Sequence, residues 1–235
     1  MSDFFRFPHT PHIAWRGKGM PRDDKVLANH EVEALLTGSV QVEEKLDGAN
    51  LGISRGLNGV IRVQNRGQYL IEPYTGQFSR LHAWLRQHQE TLDKHLPPHL
   101  ILFGEWCAAR HSLDYGSLPD WFLMFDVFDR NENRFWSSSR RNLLANALGL
   151  ATVPQLYSGN AQLPDLIRLL QTCKSRYRAG PPEGLIIRNE DSDWCQSRAK
   201  LVRAEFTQTI DEHWRSRSLE WNRIVTVSGA PHELT

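Results

Sequence analysis

Glu44-Lys45-Leu46-Asp47-Gly48-Ala49-Asn50 is the stretch from which the rest of the chain can be read. It ends an alternating segment, Val40 to Lys45, that predicts a β-strand. Asp47-Gly48 then predicts a tight turn. Two more strands are expected over Leu51 to Arg55 and Val60 to Asn65, joined through Gly56 and Asn58-Gly59. The expected arrangement is a three-strand meander. A lysine at a strand end, against a tight turn, is fixed in space, which makes Lys45 a candidate nucleophile. An amine attacks only when neutral, and a free lysine has a pKa of about 10.4. Burial or neighbouring cations are therefore expected to lower it. A surface lysine beside a hairpin turn would carry the same short pattern, so the motif needs support from elsewhere.

That support lies further along the chain. Phe103-Gly104-Glu105-Trp106 sets a carboxylate in an apolar strand, and Phe125-Asp126 does the same. Glu183 stands just before the apolar run Gly184-Leu185-Ile186-Ile187, and Arg198-Ala199-Lys200-Leu201-Val202-Arg203 sets three cations around another. Charges are seldom buried without a partner or a ligand. Together these segments supply a nucleophile, carboxylates for a metal and cations for phosphates. That is the inventory for phosphoryl-type transfer, in which catalysis is positioning and charge stabilisation.

The intervening sequence sets the fold class. Phe78, Leu81, Leu85 and Leu92 fall near helical spacing between Gln77 and Leu96, and Pro97-Pro98 stops that helix. Strands are expected over Leu100 to Trp106 and Trp121 to Phe128. A helix is expected from Ser138 to Leu148, with Gly149 as its stop signal. Another starts at Pro164 and runs to about Tyr177. Strands over Gly184 to Arg188 and Ala199 to Arg203 follow, and a polar helical tail from Thr207 to Ile224 carries Trp214, Leu219 and Trp221. Helices and strands interleave irregularly, which predicts an α+β fold with mainly antiparallel sheets.

Bulk properties narrow the function. A length of 235 residues suits one large domain or two small ones. A net charge of +1 argues against indiscriminate nucleic-acid binding, so any such surface is a local patch. Cys107, Cys173 and Cys195 are scattered without a C-x-x-C pair, as reduced thiols would be. No apolar run approaches the roughly 20 residues that span a bilayer, and Met1 to Arg6 lacks a signal-peptide pattern. A cytoplasmic protein without membrane association is expected. His9 with His12, and His95 with His99, lack usual zinc spacing. Trp214 and Trp221 are expected to pack rather than stack on bases.

The order of these segments resembles the covalent nucleotidyltransferase superfamily of DNA ligases, RNA ligases and mRNA-capping enzymes. Within it, the chain looks most like ATP-dependent RNA ligases of the phage T4 RNA ligase 2 type. The resemblance runs from about Thr10-Pro11-His12 to Glu205-Phe206. Lys45, in Glu-Lys-x-Asp-Gly-x-Asn, matches the motif I lysine. Arg66 matches motif Ia, Glu105 motif III, Phe125-Asp126 motif IIIa and Glu183 motif IV. The stretch from Gly104-Glu105-Trp106 through His111-Ser112 and Tyr115 also resembles bacterial members. Motif V departs from the family's two lysines one residue apart. The pair here is Arg198 with Lys200, or Lys200 with Arg203 in another register. Strand alternation favours the first, since it places both on one face.

The resemblance implies an adenylation domain over residues 1–206, of two mainly antiparallel sheets flanked by helices and distinct from ATP-grasp folds. A short helical tail over 207–235 would follow, with no OB-fold. It implies ATP and Mg²⁺ or Mn²⁺ as cofactors. Lys45 would attack the α-phosphate, AMP would pass to a 5′-phosphate, and a 3′-hydroxyl would displace it, sealing RNA ends in repair. Glu44 would sit beside the adenine with Phe125 stacked on it, and Asn50 would belong to the nucleotide site. Arg66 would face the ribose and end phosphate, and Glu105 the ribose hydroxyls. Glu183, with Glu105, would place the metal. Arg198 and Lys200 would touch the α-phosphate, and Asp47 would orient the lysine or metal shell. About thirty residues follow Phe206, which suggests an end-healing kinase or phosphatase as a partner. A DNA ligase, a capping-type enzyme and an adenylylating subunit remain alternatives.

Overall fold

The Asp47-Gly48 turn does not bring the chain back beside its own strand. In the computed structural model, which describes residues 4–18, 21, 25–56, 58–207 and 219–225, β1 (Ser39–Lys45) and β2 (Ala49–Arg55) belong to different sheets. The expected three-strand meander is therefore corrected. Both edges of β1 are taken, one by β8 (Gln155–Asn160) and the other by β9 (Gly184–Glu190), so no edge is left for β2. Leu46-Asp47-Gly48 crosses instead to a second sheet, where Ala49 pairs with Trp106. The crossing is tight. A Cβ on Gly48 would lie 2.6 Å from the Trp106 carbonyl oxygen, so only glycine lets the backbones approach this closely.

The first sheet has the order β10-β9-β1-β8, with β10 at Cys195–Val202, and its pairings are antiparallel. The second has the order β3-β2-β4-β5-β6, with β3 at Ile61–Gln64, β4 at Leu100–Trp106, β5 at Phe122–Asp129 and β6 at Arg134–Phe135. A short β7 (Ala151–Thr152) pairs parallel with β5. The α+β class with two antiparallel sheets is as expected. Helices α1 (Asn29–Leu35) and α4 (Leu163–Thr172) cover the first sheet, where Val40, Val42, Leu166, Leu170, Leu185 and Ile187 are buried together. Helices α2 (Leu81–His95) and α3 (Ser138–Leu148) cover the second, around Leu51, Ile53, Trp84, Leu102 and Phe122. The N-terminal segment lays Phe5 and Phe7 against Phe103 and Phe128.

Two helix boundaries show local and tertiary forces at work. Helix α3 matches its expected span: Ser137 caps it by accepting from the Arg140 N–H, and Gly149 ends it in the left-handed conformation at φ 64°. Helix α4 stops at Thr172, short of Tyr177. Cys173 is extended, and the Arg176 N–H donates at 2.9 Å to the Glu44 carboxylate. A buried carboxylate that needs a donor outweighs another turn of helix. The helix expected from Thr207 to Ile224 is also corrected where it is described. Helix α5 (Ala204–Thr207) is a single turn, and 219–225 is an extended strap bridged to Ala109 and Leu118. Trp214 lies outside the described residues. Trp221 is half-buried under the Arg80 guanidinium, a packing role as expected.

The two sheets are tied by buried charge. On β9, Arg188 donates to Asp126 of β5 at 2.9 Å and to the Trp136 carbonyl at 3.1 Å, and it also pairs with Glu190. On β1, Glu43 accepts from Arg141 of α3 at 2.6 Å, while Arg141 also donates to the Phe125 carbonyl at 2.7 Å. Arg188, Glu43, Asp126 and Arg141 are all buried. Removing one partner of such a pair strands the other. Arg188→Met is expected to cost about 3–5 kcal/mol of unfolding free energy in urea titrations. Arg188→Lys should recover little, because an ammonium cannot serve several acceptors in the fork geometry of a guanidinium. A loss below about 1 kcal/mol for Arg188→Met would show that the network does not hold the sheets together.

Candidate active site

The β1-to-β2 crossing leaves Lys45 between the two sheets, at a cavity of about 380 Å³. Eight of the ten residues singled out in the sequence line it: Glu44, Lys45, Asn50, Arg66, Glu105, Phe125, Arg198 and Lys200. Arg198 and Lys200 alternate on β10 and both face the cavity. The remaining two, Asp47 and Glu183, flank it. Glu183 precedes β9 and accepts from Lys45 Nζ at 2.6 Å. The Asp47 carboxylate accepts from the Ser112 and Leu113 N–H groups, both at 2.7 Å, and its own N–H donates to the Tyr115 hydroxyl at 2.9 Å. Asp47 therefore fixes the loop beside the lysine.

The charge state of Lys45 differs from expectation. Burial pulls its pKa down, but the carboxylates of Glu183 and Glu105 outweigh burial and hold it well above the usual lysine range. At rest the site keeps an ammonium ion, and the expected lowering does not occur. Burial pushes Glu183 up, opposed by Lys45. It also pushes Glu44 up, opposed by the Arg176 N–H. Glu105, which accepts from the Gly48 N–H at 2.9 Å, is pushed up to about 7 by burial, against the pull of Lys45.

Arg198 stands differently from Lys200. Its guanidinium bonds to Asp126 and lies over the Phe7 and Phe135 rings, at 4.8 and 4.0 Å from their centroids. It belongs to the charge network behind the cavity as much as to the cavity itself. Sequence reasoning also missed Glu43, Ile186 and Arg188, which line the cavity with Phe7, Thr10 and Val153. For Ile186 and Arg188 a signal existed: they share a face of the strand that begins at Gly184. For Thr10 there was none.

Several polar groups in the cavity wait for a partner. Glu44 Oε1, Asn50 Oδ1 and Arg66 Nε are buried with no hydrogen bond, in a fold where such atoms are ordinarily satisfied. Two acceptors and one donor, together with the cations of Lys45 and Lys200, suit a ligand that combines amino or hydroxyl groups with anionic oxygens. Among the described residues no group of three or more His, Cys, Asp or Glu could hold a metal by itself. Glu105 and Glu183 together fit a hydrated hard cation, which takes few ligands from protein.

A two-sheet α+β fold with a lysine seated in the cleft between the sheets is the class that this architecture defines. The chain belongs to the RNA ligase family, whose model matches residues 38–202. Among solved structures it is similar to a Naegleria gruberi RNA ligase. A lysine-to-methionine variant with AMP and Mn aligns at 20% identity and a TM-score of 0.58, over 76% of this chain and 53% of that one. An arginine-to-alanine variant with ATP and Mn aligns at 18% identity and a TM-score of 0.62, over 88% of this chain and 58% of that one. At this identity the likeness concerns the fold, and the chain spans little more than half the length of these structures. No functionally curated protein sequence matches it. No helix among the described residues is long and apolar enough to cross a membrane.

The raised Glu105 pKa has a stability consequence. The folded state holds this proton to about pH 7, whereas the unfolded chain releases it near 4.5. Its contribution is complete below the lower value and is lost as pH rises through the upper one. Glu105→Gln keeps the acceptor for Gly48 and removes the titration. In metal-free buffer its melting temperature relative to wild type should be higher at pH 8 than at pH 5 or below, by a few degrees. A pH-independent difference would show that Glu105 does not titrate in this range.

Proposed function

We propose that the chain is an ATP-dependent RNA ligase in which Lys45 is the nucleophile. The observation that carries this reading is the placement of Lys45 in a cleft whose lining also holds unpartnered polar atoms of Glu44, Asn50 and Arg66 and the cations of Lys200 and Arg198. The Glu44 oxygen without a donor suits an exocyclic amino group of adenine. Phe125 and Ile186 offer apolar faces for the base, Arg66 and Asn50 suit the ribose, and Lys200 suits the α-phosphate. The two N. gruberi ligase structures compared above carry AMP or ATP with Mn, which supports the same ligands here.

The bonds made and broken follow from the site. The Lys45 Nζ–phosphorus bond forms, the bond between the α-phosphorus and its bridging oxygen breaks, and pyrophosphate leaves. Before that, Nζ must lose its proton, and Glu183 Oε2 at 2.6 Å is placed to take it. Mg²⁺ or Mn²⁺ held through Glu183 and Glu105 would supply positive charge that screens both carboxylates from Lys45 and eases that loss. Lys200 stabilises charge on the α-phosphate. AMP then passes to a 5′-phosphate, and a 3′-hydroxyl displaces it, so that one ATP yields AMP and pyrophosphate for each bond sealed. RNA repair fits this chemistry, with a kinase or phosphatase supplying 5′-phosphate and 3′-hydroxyl ends. Asp47 orients the lysine through the loop it holds.

Purified protein with ATP and Mg²⁺ should gain one AMP by intact mass, as a phosphoramidate stable to base and lost in acid. Lys45→Ala should abolish the adduct. Lys45→Arg should abolish it as well, since a guanidinium stays protonated. Glu183→Ala and Lys200→Ala should each lower its formation by at least roughly 100-fold, the loss typical of a group that stabilises transition-state charge. An adduct that persists in Lys45→Ala would place the nucleophile elsewhere.

The acceptor is tested with nicked duplexes that carry RNA or DNA on either side of the nick. Pre-positioned ends avoid the entropy of bringing them together, so nicks should seal faster than free strands. The strand bearing the 3′-hydroxyl should need RNA at its end, where the 2′-hydroxyl is the distinguishing feature. Equal sealing of all-DNA nicks would favour a DNA ligase, and adduct formation with no sealing would favour an adenylylating subunit.

A further inference from the structure

The extended strap of residues 219–225 reaches the reactive lysine through one buried side chain. Asn222 is buried between the strap and the loop of residues 107–118. Its Oδ1 accepts from the Tyr115 N–H at 2.9 Å, and its Nδ2 donates to the Cys107 carbonyl at 2.8 Å and the Ala109 carbonyl at 3.2 Å. Its own N–H donates to the Ala108 carbonyl at 2.9 Å. Arg110, Leu118 and Tyr115 complete the seam through backbone bonds to Glu220 and Arg223. The inner side of the same loop holds Asp47, through the Ser112 and Leu113 N–H groups and the Tyr115 hydroxyl. Asp47 is two residues from Lys45 on the short crossing between the sheets. Tyr115 thus joins both ends of the chain of contacts, with its N–H on Asn222 and its hydroxyl on the Asp47 backbone.

We propose that Asn222 is a positioning residue for Lys45, setting the loop that fixes the β1-to-β2 crossing and with it the line of attack of the amine. This rests on Lys45 being the nucleophile. The chemistry selects asparagine. The seam offers one N–H and two carbonyl oxygens to the side chain, and a carboxamide answers with one acceptor and two donors. Aspartate would set an anionic oxygen against the two carbonyls. Alanine would leave three buried backbone groups unsatisfied. Of the groups placed at the nucleotide base and ribose, Glu44 is held by the Arg176 N–H and the Phe125 carbonyl by Arg141 and Arg188, so the hydrogen bonds that fix them come from outside the loop, although the Phe125 ring packs against the cluster that includes Leu113 and Tyr115. A disturbed seam should therefore slow attack without weakening ATP binding.

The test is single-turnover formation of the AMP adduct on the full chain, by rapid quench across a range of ATP concentrations. Amplitude, maximum rate and half-saturating ATP are read for wild type, Asn222→Asp and Asn222→Ala. Glu220→Gln serves as control, since it removes the exposed ion pair with Arg110 and leaves the loop's bonds to Asn222 in place. The Asn222 variants should keep the adduct amplitude and lose roughly 10- to 100-fold in maximum rate, as expected when a reacting group is misplaced by a fraction of an ångström or more. Half-saturating ATP should stay within about twofold, and Glu220→Gln should match wild type. A maximum rate close to wild type, or rate and ATP affinity falling together, would overturn the proposal. If neither Asn222 variant folds, Tyr115→Phe decides, because it removes only the hydroxyl that takes the Asp47 N–H. It should show the same split to a smaller degree, and an unchanged rate would overturn the proposal. Absence of any adduct in the wild type is the failure of the underlying reading, and it is seen before any variant is compared.

Discussion

Arg188 holds the cleft open and in register. It projects from the first sheet, is almost fully withdrawn from water, and bonds to Asp126 and Trp136 on the far side. A guanidinium buried at that depth is tolerable only because each of its three nitrogens has an acceptor. The same network fixes Arg141 on Glu43 and Arg198 on Asp126, so the back wall of the cavity is one set of interlocked charges. Hydrophobic clusters on the outer faces stabilise each sheet against its helices. They do not set the distance between the sheets, and the position of Lys45 depends on that distance.

Within this frame Lys45 forms an ion pair with Glu183. Burial pulls the Lys45 pKa down, but Glu183 and Glu105 hold it above the usual lysine range. The Glu183 carboxylate, itself raised by burial, accepts from Nζ at 2.6 Å and so orients the amine. Two unpaired acceptors and an unpaired donor, on Glu44, Asn50 and Arg66, belong to residues that line the same cavity.

Much of the site was legible because its residues break the pattern of the elements that carry them. Glu105 and Asp126 interrupt apolar strands, Glu183 stands before one, and Arg198 and Lys200 alternate along another. Asp126 and Arg198 meet across the cleft, whereas Glu183 pairs with Lys45 on the neighbouring strand of its own sheet and Glu105 accepts from the Gly48 N–H. Helix α3 was legible because its stop signals are local. The pairing of β1 was not. An Asp-Gly turn after a strand reads as a hairpin, and only the distant strands β8 and β9, by occupying both edges of β1, send the chain to the other sheet. Strand β8, with its polar residues and Gly159, carried little signal. The strap was misread as helix because its hydrogen bonds go to residues about a hundred positions away. Asp47 had a visible charge but an invisible role, since its partners are backbone N–H groups.

The most direct measurement is a crystal structure of the protein with an ATP analogue whose α,β-bridging oxygen is replaced by carbon. The base should lie between Phe125 and Ile186, with its amino group on Glu44. The α-phosphorus should stand about 3–3.5 Å from Lys45 Nζ, in line with the bridging carbon. An analogue bound outside the cleft, or bound within it with the α-phosphate remote from Lys45, would contradict the assignment of Lys45 as nucleophile.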